Sequence, residues 1–159
     1  MSQDMRRKDR KLNESAAKEI LKTGTYGVLS INSESGYAYG VPLSYVYSEN
    51  RVYFHWALEG QKLNHVRHDN KVSFCVVEEA RPLPEKFSMG YRSVIALGKM
   101  SEAVGEEKMN ALLLFVQKYS PDYQEQGKLY AAHAGDKTVV FRIDIEHLSG
   151  KANQAQAEV

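Results

Sequence analysis

Residues 13–23 place Ala16, Ala17, Ile20 and Leu21 on one stripe at helical spacing, behind Asn13, a residue suited to cap a helix N-terminus. Gly24 follows and suits the stop. From Thr25 the period changes: TYGVLSIN is rich in strand formers and SESG reads as a turn. Tyr37 to Tyr47 then divides by face. Tyr37, Tyr39, Val41, Leu43, Tyr45 and Tyr47 make a bulky side, whereas Ala38, Gly40, Pro42, Ser44 and Val46 make a shaved one that lets something flat approach. Pro42 donates no ladder hydrogen bond and belongs at a bulge or an edge. A short polar turn at Ser48-Glu49-Asn50 leads into the strand Arg51–Ala57, and the two strands read as a hairpin.

Leu58, Leu63 and Val66 predict a short helix ended by Asp69-Asn70, and VSFCVV predicts another strand. Residues 78–88 hold two of the four prolines and both signs of charge, so they read as a long loop. Residues 89–104 read as a long strand with Tyr91, Ile95 and Leu97 on one face and Val94, Ala96 and Gly98 on the other. Met109, Leu112, Leu113 and Val116 give helical spacing over Glu106–Tyr119, which Ser120-Pro121 ends. Residues 122–137 support no single element. Thr138–Glu146 alternates, with Val139, Phe141, Ile143 and Ile145 facing in. The pattern thus predicts a mainly β (α+β) fold: a six-stranded antiparallel Greek-key barrel with flanking helices. It also predicts a basic arm over residues 1–12, one domain over 13–150 and a loose polar tail over 151–159.

Composition narrows the function. The chain has 159 residues, which fits one domain. Lys and Arg total 21 against 20 Asp and Glu, so bulk charge argues against a protein built to grip nucleic acid or an anionic membrane. No apolar run is long enough to span a bilayer. Cys75 is the one cysteine, which excludes an intrachain disulfide and points to a reducing cytoplasm. VSFCVV predicts that Cys75 is a buried small hydrophobe. Ten tyrosines tilt the expectation further toward sheet.

Tyr53 to Leu63 is the segment richest in candidate chemistry. A strand ends, Gly60 follows, and a predicted helix begins with Lys62 in its first turn; free backbone N–H groups and a cation at such a junction suit a phosphate. His55, on the preceding strand, is a titratable candidate for a cofactor or substrate contact. Ser93, beside Arg92, offers a hydroxyl to a ligand's polar edge. His65 and His68 have metal-compatible spacing but no third ligand nearby. Walker, GxGxxG, HExxH, CxxC and GxSxG motifs are absent.

MRRKDR, VPLSYVY, YFHWALEGQKL, SFCVVE, FSMGYRSVIALGK and IEHLSGKA, taken in that order, resemble the nitroimidazole-resistance (Nim) proteins of the pyridoxamine 5′-phosphate oxidase-like, FMN-binding split-barrel superfamily. The resemblance implies a split barrel that forms a homodimer with FMN at the subunit interface. It implies that Pro42, Leu43 and Ser44 line the flavin ring and that Phe54, His55, Trp56 and Ala57 wall the site. Gly60, Gln61 and Lys62 would hold the phosphate, and Arg92, Ser93 and Val94 would reach the ring or ribityl chain. Two positions depart from the pattern: Tyr91 where relatives often carry Phe, and Trp56 where they often carry a small residue. The implied activity is a flavin-dependent oxidoreductase passing electrons to a small organic acceptor such as a nitroaromatic, with His55 as the catalytic residue. The alternatives are a barrel that binds haem or another cofactor, and a non-enzymatic flavin-binding or nucleic-acid-binding module.

Overall fold

The computed structural model describes residues 5–33, 36–57, 69–135 and 137–153. Its strands are β1 (Lys11–Leu12), β2 (Gly27–Asn32), β3 (Ala38–Leu43), β4 (Val46–Ser48), β5 (Arg51–Ala57), β6 (Lys71–Leu83), β7 (Ser88–Ala103) and β8 (Thr138–Asn153). The helices among the described residues are α1 (Glu14–Thr23), α2 (Gly105–Tyr119) and α3 (Gln124–Ala134). The strands make one antiparallel sheet in the order β3-β2-β6-β7-β8-β5-β4, and β1 adds to β8.

That order forces the sheet to roll. β3 and β4 stand at opposite ends of the path, yet only Ser44 and Tyr45 separate them in the chain. Seven strands laid flat would span roughly 29 Å, and the link from Leu43 to Val46 reaches about 11 Å at most. The ends must therefore approach, and because no ladder joins β3 to β4 the barrel keeps an open seam there. Tyr45 plugs that seam. It is fully buried, its ring meets Phe74 edge-on at 4.9 Å, and its hydroxyl donates to the Ile20 carbonyl at 3.4 Å.

The interior is filled from every wall by Leu29, Val52, Phe54, Phe74, Val94, Phe141 and Ile143, and α1 adds Ile20 and Leu21. Asn13 caps α1, its Oδ1 accepting from the Ala16 N–H at 2.8 Å. Gly24 ends the helix with φ −59, so it serves no left-handed cap. Its role is close approach: a Cβ there would lie 2.5 Å from Val76 Cγ1 and 2.6 Å from the Tyr45 hydroxyl. A second cluster lies outside the barrel, where Ala111, Leu112 and Phe115 of α2 cover Val46, Tyr53 and Val140. The buried face of α2 is thus Ala111, Leu112 and Phe115, with Leu113 exposed.

Several expectations are corrected. The sheet has eight strands among the described residues, not six. The predicted strand 37–47 breaks at Ser44-Tyr45 because the chain must cross the seam. Glu49 and Asn50 both take positive φ, as a tight hairpin between β4 and β5 requires. Residues 78–88 are no open loop: β6 and β7 pair on both sides of a bulge between Glu78 and Arg81, and a short 3-10 turn (Pro84–Lys86) closes the hairpin. At its tip Phe87 is fully exposed. The predicted loose tail begins too early, since β8 continues to Asn153; the arm contributes β1, with Lys11 opposite Lys151. The helix predicted from Leu58, Leu63 and Val66 lies outside the described residues.

Candidate functional site

The chain crosses the seam at Ser44, turning its side chain outward while Tyr45 goes in. Strand alternation sends Val52 and Phe54 into the barrel and Tyr53 and His55 to the other face, under α2. His55 meets the Phe115 ring edge-on at 4.8 Å. Ser44 and His55 thereby line one open pocket of about 490 Å³. Its remaining wall comes from Phe115, Val116, Tyr119 and Ser120 at the end of α2 and from Tyr123, Gln126, Gly127 and Tyr130 around α3. Gly127 seats α3 against α2, since a Cβ there would lie 2.2 Å from Val116 Cγ1.

Tyr119 and Lys118 tie this wall to the seam. The Tyr119 hydroxyl donates toward the carbonyls of Tyr45 at 2.7 Å and Thr25 at 2.8 Å, and it accepts from the Tyr45 N–H at 3.0 Å. Lys118 Nζ donates to the Tyr45 carbonyl at 3.0 Å and sits 4.0 Å from the centre of the Tyr45 ring. Burial pulls the Lys118 pKa down to about 8, against the opposing pull of Glu78. Burial also lowers the His55 pKa below the usual imidazole value, so the ring stays neutral at pH 7 and offers one donor and one acceptor. None of the pocket's wall residues is charged at that pH. The lining therefore suits a flat, uncharged ring system edged with hydrogen-bonding groups.

The other residues singled out from the sequence are placed as follows. Pro42 is exposed on the outer face of β3, paired with Val28 of β2. Leu43 packs toward the barrel core. The Phe54 side chain is fully buried and stacks on Phe141 at 5.8 Å, so it cannot wall an external site. Trp56 packs on the same core, 5.2 Å from both Phe54 and Phe141, and leaves the pocket clear. Ala57 ends β5, opposite Thr138. Gly60, Gln61 and Lys62 lie outside the described residues, as do His65 and His68.

On β7, Val94, Ala96 and Gly98 turn inward and are buried, and Ile95 and Leu97 are exposed outward. The small face of β7 and the shaved face of β3 thus lie on opposite sides of the sheet, with β2 and β6 between the two strands. They do not form a common slot, and the Val94 side chain belongs to the core. Arg92 lies 3.6 Å from carboxylates of both Glu78 and Glu79 and is not a free cation. Ser93 faces outward and lies opposite Lys151. Cys75 is half-buried on the outer face rather than enclosed; burial raises its thiol pKa, which disfavours the nucleophilic thiolate.

Sequence reasoning missed the pocket's helical wall. Tyr123, Gln126, Gly127 and Tyr130 stand at i, i+3, i+4 and i+7, a helical face hidden because its members are polar, small or aromatic instead of aliphatic. Among the described residues no group of three or more His, Cys, Asp or Glu side chains could hold a metal ion.

The fold and this sequence place the chain in a family. Residues 13–152 match the pyridoxamine 5′-phosphate oxidase family, and the protein belongs to it. No curated protein matches the sequence. Among solved structures, a candidate 5-nitroimidazole antibiotic resistance protein from Bacteroides thetaiotaomicron is 20% identical, with a TM-score of 0.73 over 89% of this chain and 85% of that one. An FAD-binding protein from Mesorhizobium loti is 25% identical, with a TM-score of 0.64 over 91% and 98%. A flavocytochrome from Azotobacter vinelandii is 20% identical, with a TM-score of 0.80 over 95% of this chain and 72% of that one. The antiparallel split-barrel architecture is common ground among them.

Proposed function

We propose that the protein binds FMN against the Ser44–His55 pocket and passes electrons from the reduced flavin to a small, uncharged organic acceptor such as a nitroimidazole. The observation that carries this reading is the pocket itself. In a chain of the pyridoxamine 5′-phosphate oxidase family, one open cavity joins Ser44 and His55 with four aromatic rings and no charged wall. Its size and flat, apolar sides fit a planar heterocycle. The resemblance to nitroimidazole-resistance proteins supports the acceptor class.

Bound flavin would supply the redox chemistry. The chain's residues bind, orient and manage protons. Ser44 and Gln126 would offer hydrogen bonds to the edge of a bound ring, and Phe115 and the tyrosines would supply its apolar walls. Neutral His55 would orient the acceptor and offer it an N–H hydrogen bond as charge develops. Lys62 and the N–H groups of residues 60–62 are the proposed holders of the flavin phosphate.

The outer sheet face suggests how the assembly forms. Val28, Cys75, Val77, Ile95 and Leu97 present an uncharged, largely apolar surface on adjacent strands β2, β6 and β7. A second copy of the chain is its proposed occupant.

The visible spectrum of freshly purified protein is the first test, since a flavin band separates this reading from a haem-binding barrel. Lys62→Ala should then elute without flavin on gel filtration. His55→Ala should keep flavin and lose turnover with a nitroaromatic acceptor. Retention of flavin at native affinity by the Lys62 variant overturns the phosphate assignment.

A further inference from the structure

Far along β8 from the pocket, three cations gather that make no ion pair among the described residues. β1 pairs with the end of β8, which sets Lys11 directly opposite Lys151. Like charges facing each other across a ladder are destabilising. β7 lies on the other side of β8, with Ser93 opposite Lys151 and Tyr91 opposite Asn153. Burial raises the Tyr91 pKa, and Lys151 and Arg10, the residue before β1, outweigh it and draw the phenol below its usual value. Lys151 Nζ also lies 5.8 Å from the centre of the Tyr91 ring. Asp9, the acid next to Arg10 in the chain, is gripped by Arg7 with Nε at 2.8 Å and Nη2 at 2.5 Å, and the charge of Arg10 acts on it only weakly beside that pair. Among the described residues no carboxylate pairs with Arg10, Lys11 or Lys151.

We infer that this corner of β1, β8 and β7 is a second ligand site, which takes the phosphate group of a small phosphorylated molecule through Arg10, Lys11, Lys151 and the Tyr91 hydroxyl. A tetrahedral dianion has enough acceptor oxygens to meet three cations and a phenol at once, and it relieves the Lys11–Lys151 repulsion. A nucleic acid is the poorer fit. The whole chain carries a net charge of only +1. The site is also separate from the pocket. His55 is registered against Val140, and Lys151 lies eleven positions further along β8, roughly 36 Å of strand contour.

The test uses the full chain carrying Lys62→Ala, so that the proposed flavin clamp contributes nothing, and inorganic phosphate followed by titration calorimetry. One saturable site is expected. Adding Lys151→Gln or Arg10→Gln should weaken it roughly tenfold or more, the scale of one lost charge-assisted contact. Tyr91→Phe should weaken it less, and Lys22→Gln on α1 should leave it unchanged. Equal affinity in the Lys151→Gln protein overturns the inference, as does the absence of saturable binding once Lys62 is gone. So does tight, steeply salt-dependent capture of a single-stranded oligonucleotide without saturable phosphate binding. None of these outcomes bears on whether flavin occupies the pocket, which the spectrum of the wild-type protein decides.

Discussion

One hydroxyl group and one amine brace the backbone at the open seam of the barrel. The Tyr119 hydroxyl touches three backbone groups where β3 gives way to β4. Tyr119→Phe removes all three hydrogen bonds while keeping the ring that lines the pocket. It should cost about 1–3 kcal/mol in urea unfolding, because the Tyr45 N–H loses its partner. Lys118 tells a different story. Its folded pKa of about 8 lies below the unfolded value, so the unfolded state binds more protons between those two values. Stability should therefore rise as pH climbs from about 8 toward 10. In Lys118→Met that rise should disappear, which denaturation at a series of pH values will show. A parallel rise in both proteins would mean that another group is responsible.

The long strands work through their irregularities. β7 and β8 change register between Leu97 and Gly98, where His147 pairs with Leu97 but Ile145 pairs with Gly98. The skipped residue, Glu146, bends the pair and lets the sheet curl. Gly98 makes this possible, because a Cβ there would lie 2.2 Å from the Asp144 carbonyl oxygen. Gly98→Ala should destabilise the fold by about 1–3 kcal/mol. The same substitution at Gly36, where a Cβ meets nothing within 4 Å but φ is +82, should cost less, about 1 kcal/mol from backbone strain alone. Thermal melts of the two variants give the comparison. The α2–α3 pair acts on function as an element: its end-to-end packing at Gly127 and Val116 places Tyr123 and Tyr130 beside His55.

At the scale of the molecule, the outer face of β2, β6 and β7 is the feature that the barrel leaves unfinished. Ile95 is 43% exposed and Leu97 37% exposed, with Val77 alongside at 46%. If a second copy covers them, Ile95→Glu with Leu97→Glu should shift the protein to a monomer in sedimentation. A monomeric wild type at the same concentration would sink the proposed dimer.

Much of this was legible before the fold was known. The period-two runs of β2, β5 and β8, the Asn13 cap and the stripe of α1 followed from local spacing, because a side chain's face is set by neighbours a few residues away. His55 stood out as a titratable residue on its strand, and Ser44 entered through the family resemblance; the structure lines one pocket with both. Local pattern could not say which face of β7 was inside. Val94-Ala96-Gly98 and Tyr91-Ile95-Leu97 both alternate correctly, and the small face went in because Phe54, Phe74 and Phe141 already fill the barrel.

The sequence by itself determined α1, α2, the strands with clear alternation and the family, since those depend on short-range spacing and residue type. Tertiary structure alone decided which of them meet. Rolling the sheet until β3 reaches β4 buried Phe54 and Val94, and packing α3 on α2 set a tyrosine wall against Ser44 and His55. Pairing β1 with β8 brought Arg10 and Lys11 to Lys151 across 140 residues of chain. Contacts between positions that distant follow from the rolled sheet topology, which no local pattern encodes.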